Sequence, residues 1–307
     1  MKLTRERYMK GCEFIKKNAR PLDQALYRYH FEDGPKEDVI IELVAYQNLD
    51  GGFGNGIEPD FRLRSSSPMA TFVGLQYYIT ADGDSNSDMV KAAIEYLVST
   101  YNSEENYWPS TFANVNNEPH APWWYVEKIA PPTTENWANP SAEIAGYLNK
   151  YSRFVPRDFL ARINQRVIEV IESQELITGF LYNFLCWNRV YTYFPKSISS
   201  IIQSKLMSTI QDIAPTFEEK MGEIRIFWFL EDKNSLLLSN SDLVYFLLEK
   251  EIERQADDGG WWPTWKWGQY EDIWPIAEKE WAGRMTFECL RTLRNLNLND
   301  SLIEALE

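Results

Sequence analysis

A chain of 307 residues with 44% hydrophobic content can build a large core, and its formal net charge of −14 disfavours both nucleic-acid phosphate backbones and anionic membrane surfaces as partners. No Lys/Arg cluster with interleaved aromatics offsets that charge, and no run approaches the roughly 18 apolar residues of a membrane span. The opening MKLTRERYMKG lacks the apolar stretch of a secretory leader, so a cytoplasmic setting is expected. Cys12, Cys186 and Cys289 are far apart and flanked by apolar residues, which reads as free buried thiols.

Helical periodicity dominates from the start. It predicts helices over 3–18 and 36–47, the second with Val39, Ile40, Leu43 and Val44 on its apolar side. The second runs into QNLDGGFG at 47–54, whose glycine pair permits a tight turn. Its Asp is placed to bond the downstream amides, and Gln47 to tie down exposed backbone near the helix end. No strand precedes this loop and no Lys follows it, so it matches neither standard glycine-rich phosphate loop. The IEPDFR segment comes next. It supplies Glu58 and Asp60 as candidate acids, with Arg62 two residues beyond Asp60 and able to hold it ionised. Arg62 is also a candidate for gripping a ligand carboxylate or diphosphate, or for pairing with the acidic surface.

SPMATFVGLQYY at 67–78 is apolar nearly all round and predicts an enclosed helix with Ser67 as N-cap and Pro68 in its first turn. A helix at 88–100 follows, then NYWPS at 106–110. His120 lies in a loop beside Trp123 and Trp124, in a setting without metal-ligand spacing, and Trp124 is a candidate binding platform. NPSAEIAGYLNK at 139–150 aligns with 67–78, matching Pro140, Ala142 and Gly146 to Pro68, Ala70 and Gly74. Each mid-helix glycine suggests close approach of a neighbouring helix. Further helices are expected at 157–173, 197–212, 241–253 (apolar over most of its circumference at 241–249), 281–295 and 299–306.

QADDGGWW at 255–262 repeats the first glycine loop, and RMTFECL at 284–290 repeats MATFVGL at 69–75, setting Thr286 on Thr71. NYWPS is a degraded middle copy, its Trp108-Pro109 echoing Trp262-Pro263. The loops read as clasps between successive helical hairpins. The segment WWPTWKWGQYEDIW at 261–274 concentrates aromatics next to carboxylates. Trp265 and Trp267 are candidate ligand-facing residues there, and Glu271 and Asp272 candidate acid/base groups, against the alternative of a hydrophobic cap.

The two DGG loops and the helices after them resemble the repeat of the terpenoid cyclase and protein prenyltransferase superfamily. That resemblance implies an all-α fold, a single α/α toroid over 1–307 whose inner helices surround an apolar chamber and whose outer helices enclose them. It implies an apolar, isoprenoid-like ligand. The chain departs from the family's chemistry, because it has no D-x-D-D acid motif, no helical D-D-x-x-D motif and no zinc-ligand spacing around its two histidines. No metal or other cofactor is expected, and the sequence singles out no protein partner. Three readings stay open: conversion or binding of an isoprenoid-like molecule, a carbohydrate-active or sugar-binding toroid, and a structural or protein-interaction toroid.

Overall fold

The computed structural model describes residues 2–177, 181–220 and 225–298, and the helix expected at 299–306 lies outside them. Among the described residues the chain is carried by eleven α-helices, with no β-strand and only isolated bridges, such as Gln47 with Phe53 and Phe61 with His120. The fold is all-α, as expected. No helix of the described residues is long and apolar enough to cross a membrane.

The helices gather into two compact units, one made of residues 1–42 with 210–307, the other of 43–209. The boundaries fall inside α3 (Lys36–Val44) and α9 (Lys196–Lys220). The first unit holds α1 (Arg5–Asn18), α2 (Pro21–Phe31), α10 (Ser241–Glu253) and α11 (Trp274–Asn295), with α11 packed on both α1 and α2. The second holds α4 (Pro68–Thr80), α5 (Asp88–Ser99), α6 (Ala138–Lys150), α7 (Arg157–Glu172) and α8 (Leu181–Val190). In it α6 packs on α4, α5, α7 and α8.

Helix pattern explains burial in most cases. α4 buries ten of its thirteen residues, as a helix apolar all round must. α7 buries only Ile163, Val167, Val170 and Ile171, one stripe at helical spacing. Two expectations need correction. α10 is not enclosed: Tyr245 and Phe246 are exposed, because its buried residues Leu243, Val244, Leu247, Leu248, Glu251 and Ile252 recur on a single face. α11 begins at Trp274, seven residues before the predicted start, since Pro275 sits in the first turn, where its missing N–H costs nothing.

The two glycine loops are the same device built twice. In the second unit, Gln47 Nε2 donates to the carbonyls of Gly51 and of Met89 on α5, each at 2.9 Å. The Gly52 amide donates to Asp50 Oδ1 at 3.0 Å, and the Phe53 amide to Thr71 Oγ1 on α4 at 3.0 Å. In the first unit, Gln255 Nε2 donates to the carbonyls of Gly259 at 2.8 Å and of Arg7 on α1 at 2.9 Å. The Gly260 amide donates to Asp258 Oδ1 at 2.9 Å, and the Trp261 amide to Thr286 Oγ1 on α11 at 2.9 Å. Gly51 and Gly259 have φ of +88° and +92°. A Cβ on Gly51 would lie 2.5 Å from the Ala92 carbonyl oxygen, and one on Gly259 2.3 Å from that of Lys10. Each loop therefore needs glycine twice over, for its backbone angle and for its contact with a helix.

The middle copy keeps one element of the device. The Trp108 amide donates to Ser141 Oγ on α6 at 3.0 Å, in the role of Phe53 with Thr71. This corrects the alignment by two residues, because the matched prolines set Ser141 against Met69. Gly146 and Gly74 match for unrelated reasons. A Cβ on Gly146 would strike Val190 of α8 at 2.3 Å, the expected helix–helix approach, whereas one on Gly74 would strike the Phe53 ring at 2.6 Å. Ser67 caps α4 as predicted, accepting from the Ala70 amide. Asn139 keeps non-helical backbone (φ −103°, ψ 101°) immediately before Pro140.

Candidate active site

The second unit pairs two irregular segments. Phe61 and His120 face each other in an isolated antiparallel bridge. The Arg62 amide donates to the Pro119 carbonyl at 2.8 Å, and the Ala121 amide to the Asp60 carbonyl at 2.7 Å. Three ionisable side chains of these loops are buried: Glu58 at 7% exposure, Asp60 at 5% and His120 at 3%. Burying an ionisable group is costly, and these three are buried on loops and not on a packed helix face.

Aromatic residues flank the pairing. Trp124 is half-buried, with its ring centroid 4.8 Å from that of Phe61. Its Nε1 is shielded from solvent and finds no acceptor among the described residues. Tyr125 stacks on His120 with centroids 6.3 Å apart, yet remains 61% exposed, and Trp123 is 52% exposed. Arg62 is half-buried, its guanidinium lying against Gly56. Four predicted residues, Glu58, Asp60, Arg62 and Trp124, are thus gathered on one pair of loops. His120 joins them as the residue whose position the sequence leaves open.

The other four candidates lie in the first unit. Glu271 and Asp272 are exposed in the turn before α11, where acidic groups suit the positive end of the helix dipole. Trp267 is buried against Trp274, with centroids 5.5 Å apart. Trp265 is half-buried and meets Trp281 edge-on at 5.5 Å and Trp228 at 6.2 Å. Trp228 Nε1 donates to Glu288, which also accepts from Arg284 Nε at 2.9 Å. Much of the aromatic segment is therefore packing, with Trp261 fully buried and its Nε1 donating to the Glu251 carbonyl.

Sequence reasoning misses two buried ionic networks. Glu143 on α6 is fully buried, and its Oε1 accepts from Gln76 of α4 at 2.5 Å and from the Tyr147 hydroxyl at 2.7 Å. Arg189 of α8 lies 3.4 Å from its other oxygen. Burial, and then Glu143, pushes the Tyr147 hydroxyl and the Cys186 thiol well above their ordinary pKa values. The sequence signal is a single Glu inside the small and apolar run SAEIAGYL. In the first unit, Arg225 Nε donates to Glu251 Oε1 at 3.0 Å and Arg225 NH1 to the Trp262 carbonyl at 2.9 Å, tying α10 to the second clasp. All three cysteines are free and buried, as expected.

No cluster of three or more His, Cys, Asp or Glu side chains with metal-holding geometry occurs among the described residues. No family model, curated protein or solved structure matches the chain.

Proposed function

We propose that the Glu58–Asp60–His120 loop pair is an acid/base site acting on a sugar-like small molecule seated against Trp124. The observation that carries this reading is the joint burial of two carboxyl groups and an imidazole on paired loops. Such groups do proton transfer when a ligand brings its reacting atoms to them. The half-buried Trp124 and the exposed faces of Trp123 and Tyr125 suit the flat faces of sugar rings. A ligand hydroxyl oxygen also gives Trp124 Nε1 the acceptor it lacks among the described residues.

In glycoside hydrolysis each carboxyl group takes one role. Glu58 protonates the leaving oxygen as the glycosidic C–O bond breaks. Asp60, with Arg62 on the same loop to favour its charge, takes the proton from the attacking water as the new C–O bond forms. Release of reducing ends from a series of neutral oligosaccharides tests this. The parent protein should cleave at least one of them, and Asp60→Asn should lower turnover by about 10²–10⁴-fold at an unchanged melting temperature. A parent that cleaves none, or an Asp60→Asn protein as active as the parent, counts against it.

A second reading has its own observation. The duplicated clasp, with its Gln, Asp, Gly-Gly and Thr in matching bonds, supports the resemblance to terpenoid cyclases and prenyltransferases, and hence an isoprenoid-like ligand. Binding of farnesyl or geranylgeranyl diphosphate in place of sugars would favour that reading.

A further inference from the structure

We infer that His120 holds a permanent proton on Nδ1 and exchanges protons only through Nε2, making it the proton carrier of the loop-pair site. The role rests on the acid/base reading above, whereas the nitrogen assignment stands on geometry alone.

His120 Nδ1 lies 2.6 Å from the carbonyl oxygen of Glu118, two residues earlier in the chain. A carbonyl oxygen only accepts, so the ring nitrogen at that distance is the donor and carries hydrogen. That leaves two states for the ring: neutral, with the proton on Nδ1, or the imidazolium. Both differ only at Nε2, so every proton the ring gains or loses passes through that atom.

The surroundings make this tie firm. The peptide groups on either side of His120 are clamped, through the Pro119 carbonyl to the Arg62 amide and through the Ala121 amide to the Asp60 carbonyl. Tyr125 lies nearly parallel to the imidazole, at an interplanar angle of 26°. Backbone, ring edge and ring face are each held, which is how a proton carrier is kept in register with its ligand. The ionisable side chains nearest the pairing in sequence are Glu58, Asp60, Arg62 and Arg64 from one loop, and Glu118, Tyr125, Glu127 and Lys128 from the other. Among these Glu58 and Asp60 are buried along with His120, and they are the groups proposed to exchange a proton with Nε2.

The protein has two histidines, His30 and His120, so long-range 1H–15N spectra of histidine-labelled protein resolve the question, with His30→Asn providing the assignment. The expected result is a pyrrole-type Nδ1 at every pH. A pyridine-type Nδ1 at any pH overturns the inference. Substitution gives a second readout. His120→Asn places an amide N–H where Nδ1 was and should keep the parent melting temperature, while His120→Gln should lower it. Equal losses for the two variants would remove the Glu118 tie. Absence of sugar cleavage by the parent would end the acid/base reading, yet leave the nitrogen assignment decided by the spectra.

Discussion

The hydroxyl of Thr286 accepts a hydrogen bond from the backbone amide of Trp261 at 2.9 Å. Thr286 is fully buried, as is Trp261, so no water stands ready to replace it. The hydroxyl also donates to the Ala282 carbonyl one helical turn earlier, which fixes its orientation. Phe53 and Thr71 repeat the arrangement, with Thr71 donating to the Ser67 carbonyl. In each unit, then, a buried threonine couples a glycine loop to the helix that follows it.

Replacing either threonine with valine keeps the shape and deletes the acceptor. Thr71→Val and Thr286→Val should each destabilise the protein by about 1–3 kcal/mol, the cost of leaving a buried amide unpaired. Thr71→Ser should recover most of the loss. Urea denaturation of the three variants checks this.

Glycine positions should divide by contact and not by backbone angle alone. Gly268 has φ of +67°, and a Cβ added there would meet nothing within 4 Å, so Gly268→Ala should cost only about 1–2 kcal/mol of left-handed strain. Gly259→Ala adds a clash with the Lys10 backbone and should cost clearly more. Melting temperatures of the pair test the difference.

Arg225 and Glu251 are 1% and 2% exposed, and removing Arg225 leaves the buried carboxylate with only the more exposed Arg254, 3.5 Å away. Arg225→Met should destabilise by about 3–5 kcal/mol. Arg225→Met combined with Glu251→Met should lose less than the single change, because the fully buried carboxylate goes too and the Arg254 left behind is the more exposed partner. Chemical denaturation of the single and double variants decides it.

Alkaline pH should weaken the fold. Burial raises the Cys186 and Cys289 thiols well above their ordinary 9.0, so the folded state prefers them protonated. Their contribution is complete below pH 9 and declines above it, where the unfolded chain loses protons that the folded chain keeps. Each thiol should add a slope of about 1.4 kcal/mol per pH unit in that range. Cys186→Ala should flatten the decline in unfolding free energy measured between about pH 8 and 10.5.

The clasps are legible in the sequence because their bonds are local. Gln47 reaches Gly51, and Asp50 reaches Gly52, within one octapeptide, and the second copy repeats every residue type that matters. The pairing of Asp60–Arg62 with Pro119–Ala121 is not legible. It joins distant loops through backbone groups, which carry no side-chain period, so Glu58 and Asp60 stand out as candidates but their association with His120 does not. Glu143 escapes for a different reason: its partners Gln76 and Arg189 come from two other helices, and only packing brings them together. The two-residue shift in the middle repeat shows the same limit, since matched glycines on α4 and α6 accommodate different neighbours.

The central claim is that the paired loops around His120 hold the ligand. The most direct measurement is a crystal structure of the full chain with a neutral oligosaccharide that it binds. The account predicts a sugar ring against Trp124, with a hydroxyl oxygen about 3 Å from Trp124 Nε1 and the scissile bond facing Glu58 and Asp60. A sugar seated instead on Trp265, with the Trp124 loop unchanged, would contradict it.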